Sequence, residues 1–291
     1  MRTLVLGSHG QLASCLAELG LAGVQFAGRA RCDITDLVQV RALLADIQPD
    51  VVINTAAYTA VDKAEGDAEA ARRLNRDGAA HAALAAADIG VPLIHLSTDY
   101  VFPGTGEHLL REDDATGPTG VYGRTKLEGE QAVLAHSPRH IIVRTAWVYS
   151  HQGANFLKTM LRLAETRPVL SVVADQHGSP THAGELARGL MNIARQIAGN
   201  EPASTGGIYH LAGSGETTWA MFAREIFAVS RDLGGPSAEV IDIATEAYPT
   251  PARRPANSRL DCSKVQAVFG VSLPPWREGV RQAVQRLHRA A

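Results

Sequence analysis

The chain has 291 residues, 45% hydrophobic and 20% charged, with a formal net charge of −2. That length can bury a large core, and its scattered basic residues exclude the usual nucleic-acid-binding and membrane-surface classes. Cys15, Cys32 and Cys262 have neither disulfide-framework nor zinc-site spacing, no signal segment opens the chain, and no apolar run nears the roughly 20 residues of a membrane helix, so a soluble cytoplasmic protein with reduced thiols is expected.

Short apolar runs at 3–7, 24–27, 51–56, 93–97 and 141–145 predict strands. Segments of helical period at 36–47, 67–88 and 121–136 lie between them. Alternating strands and helices imply right-handed crossovers and a parallel sheet covered on both faces. The fold class is therefore α/β, a Rossmann-type doubly wound parallel sheet. The second half is less regular: helices are expected at 155–165, 182–197, 217–233 and after Pro275, a strand at 207–213, and a proline-rich loop or arm at 247–261. Residues 1–146 thus form a dinucleotide-binding domain, to which some later segments return. Residues 147–291 form a smaller, discontinuous substrate-binding region.

Gly7 and Gly10, in "LVLGSHGQLAS", follow the first strand and open a helix, with the small Ala13 beyond them. Strand, glycine turn and helix N-terminus make a diphosphate site, because backbone N–H groups and the helix dipole both favour an anion. An ordinary tight turn between strand and helix is the plain alternative. The second strand ends "FAGRARCDITD", offering Arg29 and Arg31 before any acid, with Asp33 the first carboxylate. Arginine accommodates a ribose 2′-phosphate and an acid holds the 2′-hydroxyl, so the segment leans to NADPH, with NADH as second choice. Two solvated arginines would look the same. Thr35 or Asp36 is the expected cap of the following helix.

The third strand runs into "NTAAYTAVDKAEGD", whose small residues suit backbone passing close to a flat ligand or simple packing. The fourth ends in Ser97, Thr98 and Asp99, where a hydroxyl can meet a substrate carbonyl oxygen or merely close a turn. "VYGRTKLEGEQ" then sets Tyr122 and Lys126 on one helix face, in a chain with only four lysines among 28 basic residues. A nearby ammonium favours the phenolate, so the pair can exchange a proton near neutral pH. Chance alone yields one such spacing in about one chain in ten.

This ordered set resembles the extended short-chain dehydrogenase/reductase family. Within it, "GSHGQLA", "STDYVFPGTGE", "YGRTKLEGE", "RTAWVY" and "YPTPARRPANSRLD" are similar to the dTDP-4-dehydrorhamnose reductases, over essentially the whole chain. The resemblance implies NAD(P)H-dependent reduction of the C4 keto group of dTDP-4-dehydro-L-rhamnose. It implies Tyr122 as proton donor, Lys126 as holder of the nicotinamide ribose and tuner of Tyr122, and Thr98 as partner of the carbonyl oxygen. Thr98, Asp99 and Trp147 would touch the sugar. Gly10, Gln11 and Leu12 would meet the diphosphate, Asp33 and Ile34 the adenine side, and Ala56, Ala57 and Tyr58 the middle of the cofactor. Arg254, Asn257 and Ser258 face the nucleotide or sugar, or belong to a structural loop. A homodimer and Mg2+ are implied by resemblance only, and Cys15 and Gly184 stand where metal ligands would be sought. Three rivals remain: a reductase of opposite C4 stereochemistry, a non-catalytic NADP-binding regulatory subunit, and a 4,6-dehydratase, which Tyr100 in the usual place of a glutamate disfavours.

Overall fold

The structure, a computed structural model, describes residues 1–198 and 205–290. In chain order it contains β1 (Thr3–Leu6), α1 (Gln11–Glu18), β2 (Val24–Ala27), α2 (Leu37–Ile47), β3 (Val51–Asn54), α3 (Val61–Ala64), α4 (Ala68–Arg72), α5 (Gly78–Asp88), β4 (Leu93–Thr98), α6 (Val121–Leu134) and β5 (Ile141–Thr145). A π-helical turn over Arg73–Asp77 joins α4 to α5 without a break. The second half holds β6 (Val148–Tyr149), α7 (Phe156–Ala164), β7 (Val169–Val173), β8 (His177–Gly178), β9 (Thr181–His182), α8 (Ala183–Ile197) and β10 (Gly207–His210). It ends with β11 (Thr217–Thr218), α9 (Trp219–Asp232), β12 (Glu239–Ile243), β13 (Asn257–Ser258), α10 (Ser263–Phe269) and α11 (Trp276–Ala290).

The main sheet has the order β10-β5-β4-β3-β1-β2, and every neighbouring pair is parallel. Its strands read as unbroken apolar runs because both faces are covered. Val5, Ile53, Ile94 and Val143 pack on one side with α1, α8 and α10. Leu4, Leu6, Val52 and Ile142 pack on the other with α2 and α5. Asp36 caps α2, its carboxylate accepting the Val38 and Gln39 N–H groups. The chain turns outward in opposite directions from β1 and β3, which opens a crevice at their C-terminal ends, the usual ligand position in such sheets.

Two parts of the second half return to this sheet: β10 pairs with β5, and α8 packs beneath it. A separate core gathers α7, α9, α11, β7 and β12 around Phe222, Phe227 and Trp276. The small three-stranded sheet β11-β8-β13 forms between the two. It takes in residues expected to lie in a helix and in a loop: Thr217–Thr218 are strand, so α9 begins at Trp219, where Thr218 caps it. Residues 257–258 are strand as well, set by β8 rather than by their own sequence.

Candidate active site

One end of the crevice is built on the turn between β1 and α1. Gly7 has φ of +107°, and a Cβ there would lie 2.5 Å from Thr55 Oγ1, so only glycine fits. Gly28, at the end of β2, lies close to the Ser8 hydroxyl, which a Cβ there would displace. Gly10 precedes α1 with no side-chain cap, which leaves first-turn N–H groups to meet an anion. The cleft encloses about 390 Å³ and is lined by Gly7, Gly10, Arg29, Asp33, Ile34, Ala56, Ala57 and Tyr58 among the expected residues. Gln11 and Leu12 use their side chains elsewhere. Gln11 donates to Val148 O and accepts from Ser150 and Asn155, tying α1 to the second half. Leu12 packs on the core under the sheet.

The cleft also takes Ser8, His9, Thr55 and Arg73, which the sequence did not single out. Asp33 Oδ1 is committed to Thr35 N and Thr35 Oγ1, and Oδ2 lies 3.4 Å from Arg29 Nε. These Thr35 hydrogen bonds, with Arg29 and Arg73 nearby, hold its carboxyl below the usual range. The acid therefore serves its own loop, while two guanidinium groups border this end. Tyr58 is fixed by Asn75, whose Oδ1 accepts Tyr58 N–H at 2.8 Å and whose Nδ2 donates to Tyr58 O and Thr125 Oγ1. Asn75 sits in the π-helical turn, a local irregularity that recurs at functional sites.

Outside the lining of this cleft, Thr98 closes β4 and Tyr122 opens α6. Gly123 lets the helix reach the turn after β4, since a Cβ would stand 2.2 Å from Tyr100 O. The Thr98 hydroxyl donates to Asp99 Oδ1 at 3.0 Å and accepts the Tyr100 N–H at 3.2 Å, with the Tyr122 phenol beside it. Burial holds that phenol above its ordinary value, and Asp99 and Tyr100 reinforce the shift against the Thr98 hydroxyl. Lys126 is 2% exposed, with Nζ donating to Leu96 O at 2.6 Å and lying 3.3 Å from His95 Nε2. The Lys126 side chain thus ends at β4. Burial in turn lowers the Lys126 pKa to about 8, with Glu130 opposing.

Asp99 is 3% exposed, and burial raises its pKa to about 6, against hydrogen bonding from Ser258 and Thr98. Its Oδ2 and the Ser258 Oγ are both buried without a fully formed hydrogen bond among the described residues. Ser258 reaches this position because β13 pairs it with Gly178. Gly178 also lies under Trp147, where a Cβ would be 2.4 Å from the indole. Trp147 has φ of +48°, a strained value for a large residue, and stacks on Trp219 at 3.5 Å. One small sheet thus sets both Trp147 and Ser258. Arg254 pairs with Asp62 at 2.6 Å near Tyr100, and Asn257 donates to His108 O.

The residues do not suit Mg2+. Among the described residues, the one group of three possible metal donors within mutual reach is Cys15, Glu18 and His151. A hard cation needs oxygen ligands. Here one donor is a buried thiol whose pKa is raised to about 11 by burial, and another is an imidazole. The only carboxylate is held by Arg286 at 2.5 Å and by His151 at 2.8 Å. Gly184 has no side chain to offer.

Among known proteins, the family described as the RmlD substrate binding domain matches residues 1–289. A dTDP-4-dehydrorhamnose reductase of Sinorhizobium fredii is 48% identical over 289 residues, covering 99% of this chain and 98% of that one. A crystal structure of a dTDP-4-dehydrorhamnose reductase from Clostridium acetobutylicum superposes with a TM-score of 0.91 at 36% identity, over 99% of each chain. One from Bacillus anthracis, in complex with NADP, gives a TM-score of 0.90 at 33% identity, over 98% of this chain and 99% of that chain.

Proposed function

The chain belongs to the dTDP-4-dehydrorhamnose reductase family, and from that premise we propose how its residues divide the work. It is an NAD(P)-dependent oxidoreductase that reduces the C4 keto group of dTDP-4-dehydro-β-L-rhamnose to give dTDP-β-L-rhamnose. The observation that carries the reading is an anion-ready helix end in the cleft after β1 together with Thr98, at the end of β4 in the same parallel sheet, beside Tyr122.

Gly7, Gly10 and the first turn of α1 hold the diphosphate of the cofactor, with Gln11 and Leu12 contributing backbone. Ala56, Ala57 and Tyr58 line its middle, and Asp33 and Ile34 its adenine side. Arg29 and Arg73 favour NADPH over NADH, because Asp33 already has partners within its own loop. When bound, the cofactor supplies hydride to C4. Tyr122 gives its phenolic proton to the carbonyl oxygen, and Thr98 orients that oxygen through its hydroxyl. Lys126, as a cation, holds the ribose and stabilises the phenolate left behind. Asp99 and Trp147 bound the sugar. Residues 1–146 thus serve the dinucleotide and 147–291 mainly the sugar, in a cytoplasmic protein that forms a homodimer.

The test is direct. The protein is incubated with dTDP-4-dehydro-L-rhamnose and NADPH, absorbance of the reduced cofactor is followed, and the product is identified by NMR. Absence of NADPH oxidation would refute the reading, and a product epimeric at C4 would redirect it. Tyr122→Phe should lose turnover by at least about 100-fold while retaining NADPH binding, since it removes only the proton.

A further inference from the structure

Three buried residues beneath the site carry a hydrogen-bond chain that the function above does not use. Asn54 ends β3, His95 lies on β4 and Lys126 on α6. They are 1%, 1% and 2% exposed. We propose that Asn54 and His95 are positioning residues that set the charge of Lys126. In alkaline solution the chain holds Lys126 as a neutral amine, and Lys126 becomes a cation only when His95 moves its ring proton.

The donors and acceptors admit one assignment. The Ala56 N–H donates to Asn54 Oδ1 at 3.1 Å, which fixes the amide orientation. Asn54 Nδ2, a donor only, therefore faces His95 Nδ1 at 3.1 Å. Nδ1 must accept, so the neutral ring carries its proton on Nε2. That N–H points at Lys126 Nζ, 3.3 Å away. Nζ can accept it only with a lone pair, which an amine has and an ammonium lacks. The amine still donates to Leu96 O at 2.6 Å, so each of these contacts pairs a donor with an acceptor.

Protonating Lys126 breaks the match. Nε2 would have to accept, the ring proton would move to Nδ1, and Nδ1–H would face the Asn54 NH2 group. Turning the amide over would instead set NH2 against the Ala56 N–H. A doubly protonated ring gives the same clash, and burial holds His95 well below its ordinary pKa. The surrounding charges do not remove this penalty. Glu130, one turn along α6, is held by both nitrogens of Arg144 from β5. Tyr122, one turn back along α6, has Asp99 and Tyr100 of the turn after β4 as its own charged and phenolic neighbours. Burial acts in the same direction, placing the Lys126 titration near 8.

The consequence for turnover rests on the reductase reading, in which the cation holds ribose and stabilises the Tyr122 phenolate. There kcat/KM falls as pH rises through the Lys126 titration, far below the free-lysine value of about 10.4. The charge state itself is tested without substrate or cofactor. The chain has four lysines, so the full-length protein labelled with [ε-13C]lysine gives four signals, with Lys126 assigned by its loss in Lys126→Arg. Its signal should titrate near pH 8, and a midpoint at about 10.4 or above would overturn the proposal. Asn54→Asp supplies an acceptor for Nδ1–H, which lets Nε2 accept from the ammonium, and should raise the midpoint by one pH unit or more. A folded Asn54→Asp variant with no rise would overturn the proposal. If that variant does not fold, 15N spectra of the histidine ring in the unsubstituted protein decide, with His95→Gln as the assignment control. The Nε2–H tautomer is expected above the Lys126 midpoint, and Nδ1–H persisting there would refute the chain.

Discussion

Two carboxylates are buried on the two sides of α6, and the molecule treats them differently. Glu130 is 1% exposed, and the Arg144 guanidinium grips both its oxygens at 2.9 and 2.7 Å. Arg144 is itself 1% exposed and lies over the Phe102 ring, 4.9 Å from its centre. Asp99, 3% exposed, has hydroxyl neighbours instead of a paired cation. The first arrangement completes a charge pair and fixes the helix to the sheet. The second leaves a carboxyl oxygen and a serine hydroxyl buried without a fully formed hydrogen bond among the described residues. Buried charge with its partner is scaffold; buried charge without one is capacity held for a ligand.

The largest effect that would break this contrast lies at Arg144. Arg144→Met should cost about 3–5 kcal/mol of stability, because it strands the Glu130 carboxylate in the core. Urea unfolding measures the loss, and adding Glu130→Leu should recover most of it. A loss below about 1 kcal/mol would mean that the pair is not what fixes α6. Asp99→Asn should act in the opposite sense. The folded-state pKa of Asp99 is raised to about 6, above an unfolded value of about 3.9, so its stabilising effect is full below about pH 4 and lost as pH rises through 6. The amide carries no such loss. Asp99→Asn should therefore gain roughly 2–3 kcal/mol at pH 7 and almost nothing at pH 4, while turnover falls. Equal effects at the two pH values would remove Asp99 from the unpaired class.

This contrast also marks what the sequence could reveal. All five strands expected in the first half are present, because burial on both faces writes a strand as an unbroken apolar run. Thr98, Tyr122 and Lys126 were legible because their spacing places them at a strand end and on one helix face. Asn75, Arg73 and His95 were not, since each acts from the middle of a helix or strand pattern and gains its meaning only from a distant partner. Ser258 is an intermediate case: the proline-rich segment hinted at a role, but only pairing of β13 with β8 brings it to Asp99. Lys126 shows a further limit. Periodicity put it beside Tyr122, whereas its long side chain can end at β4, and no local pattern encodes that choice.

The smallest effect gives the sharpest test of the unpaired carboxyl. Ser258 is 1% exposed, and its hydroxyl is among the groups that restrain the rise in the Asp99 pKa. Ser258→Ala removes that restraint and also a buried hydroxyl that lacks a fully formed hydrogen bond. The two effects oppose each other at pH 7: losing the restraint makes ionised Asp99 costlier, and losing an unsatisfied polar group is favourable. Net stability at pH 7 should therefore move by less than about 1 kcal/mol. The pH at which the decline ends should nevertheless shift upward from about 6, because the folded-state pKa of Asp99 rises further above its unfolded value. Urea midpoints measured at intervals from pH 4 to pH 8 separate these two effects. A decline that stays at the same pH would mean that Ser258 is packing and that Asp99 is restrained by Thr98 and the turn alone.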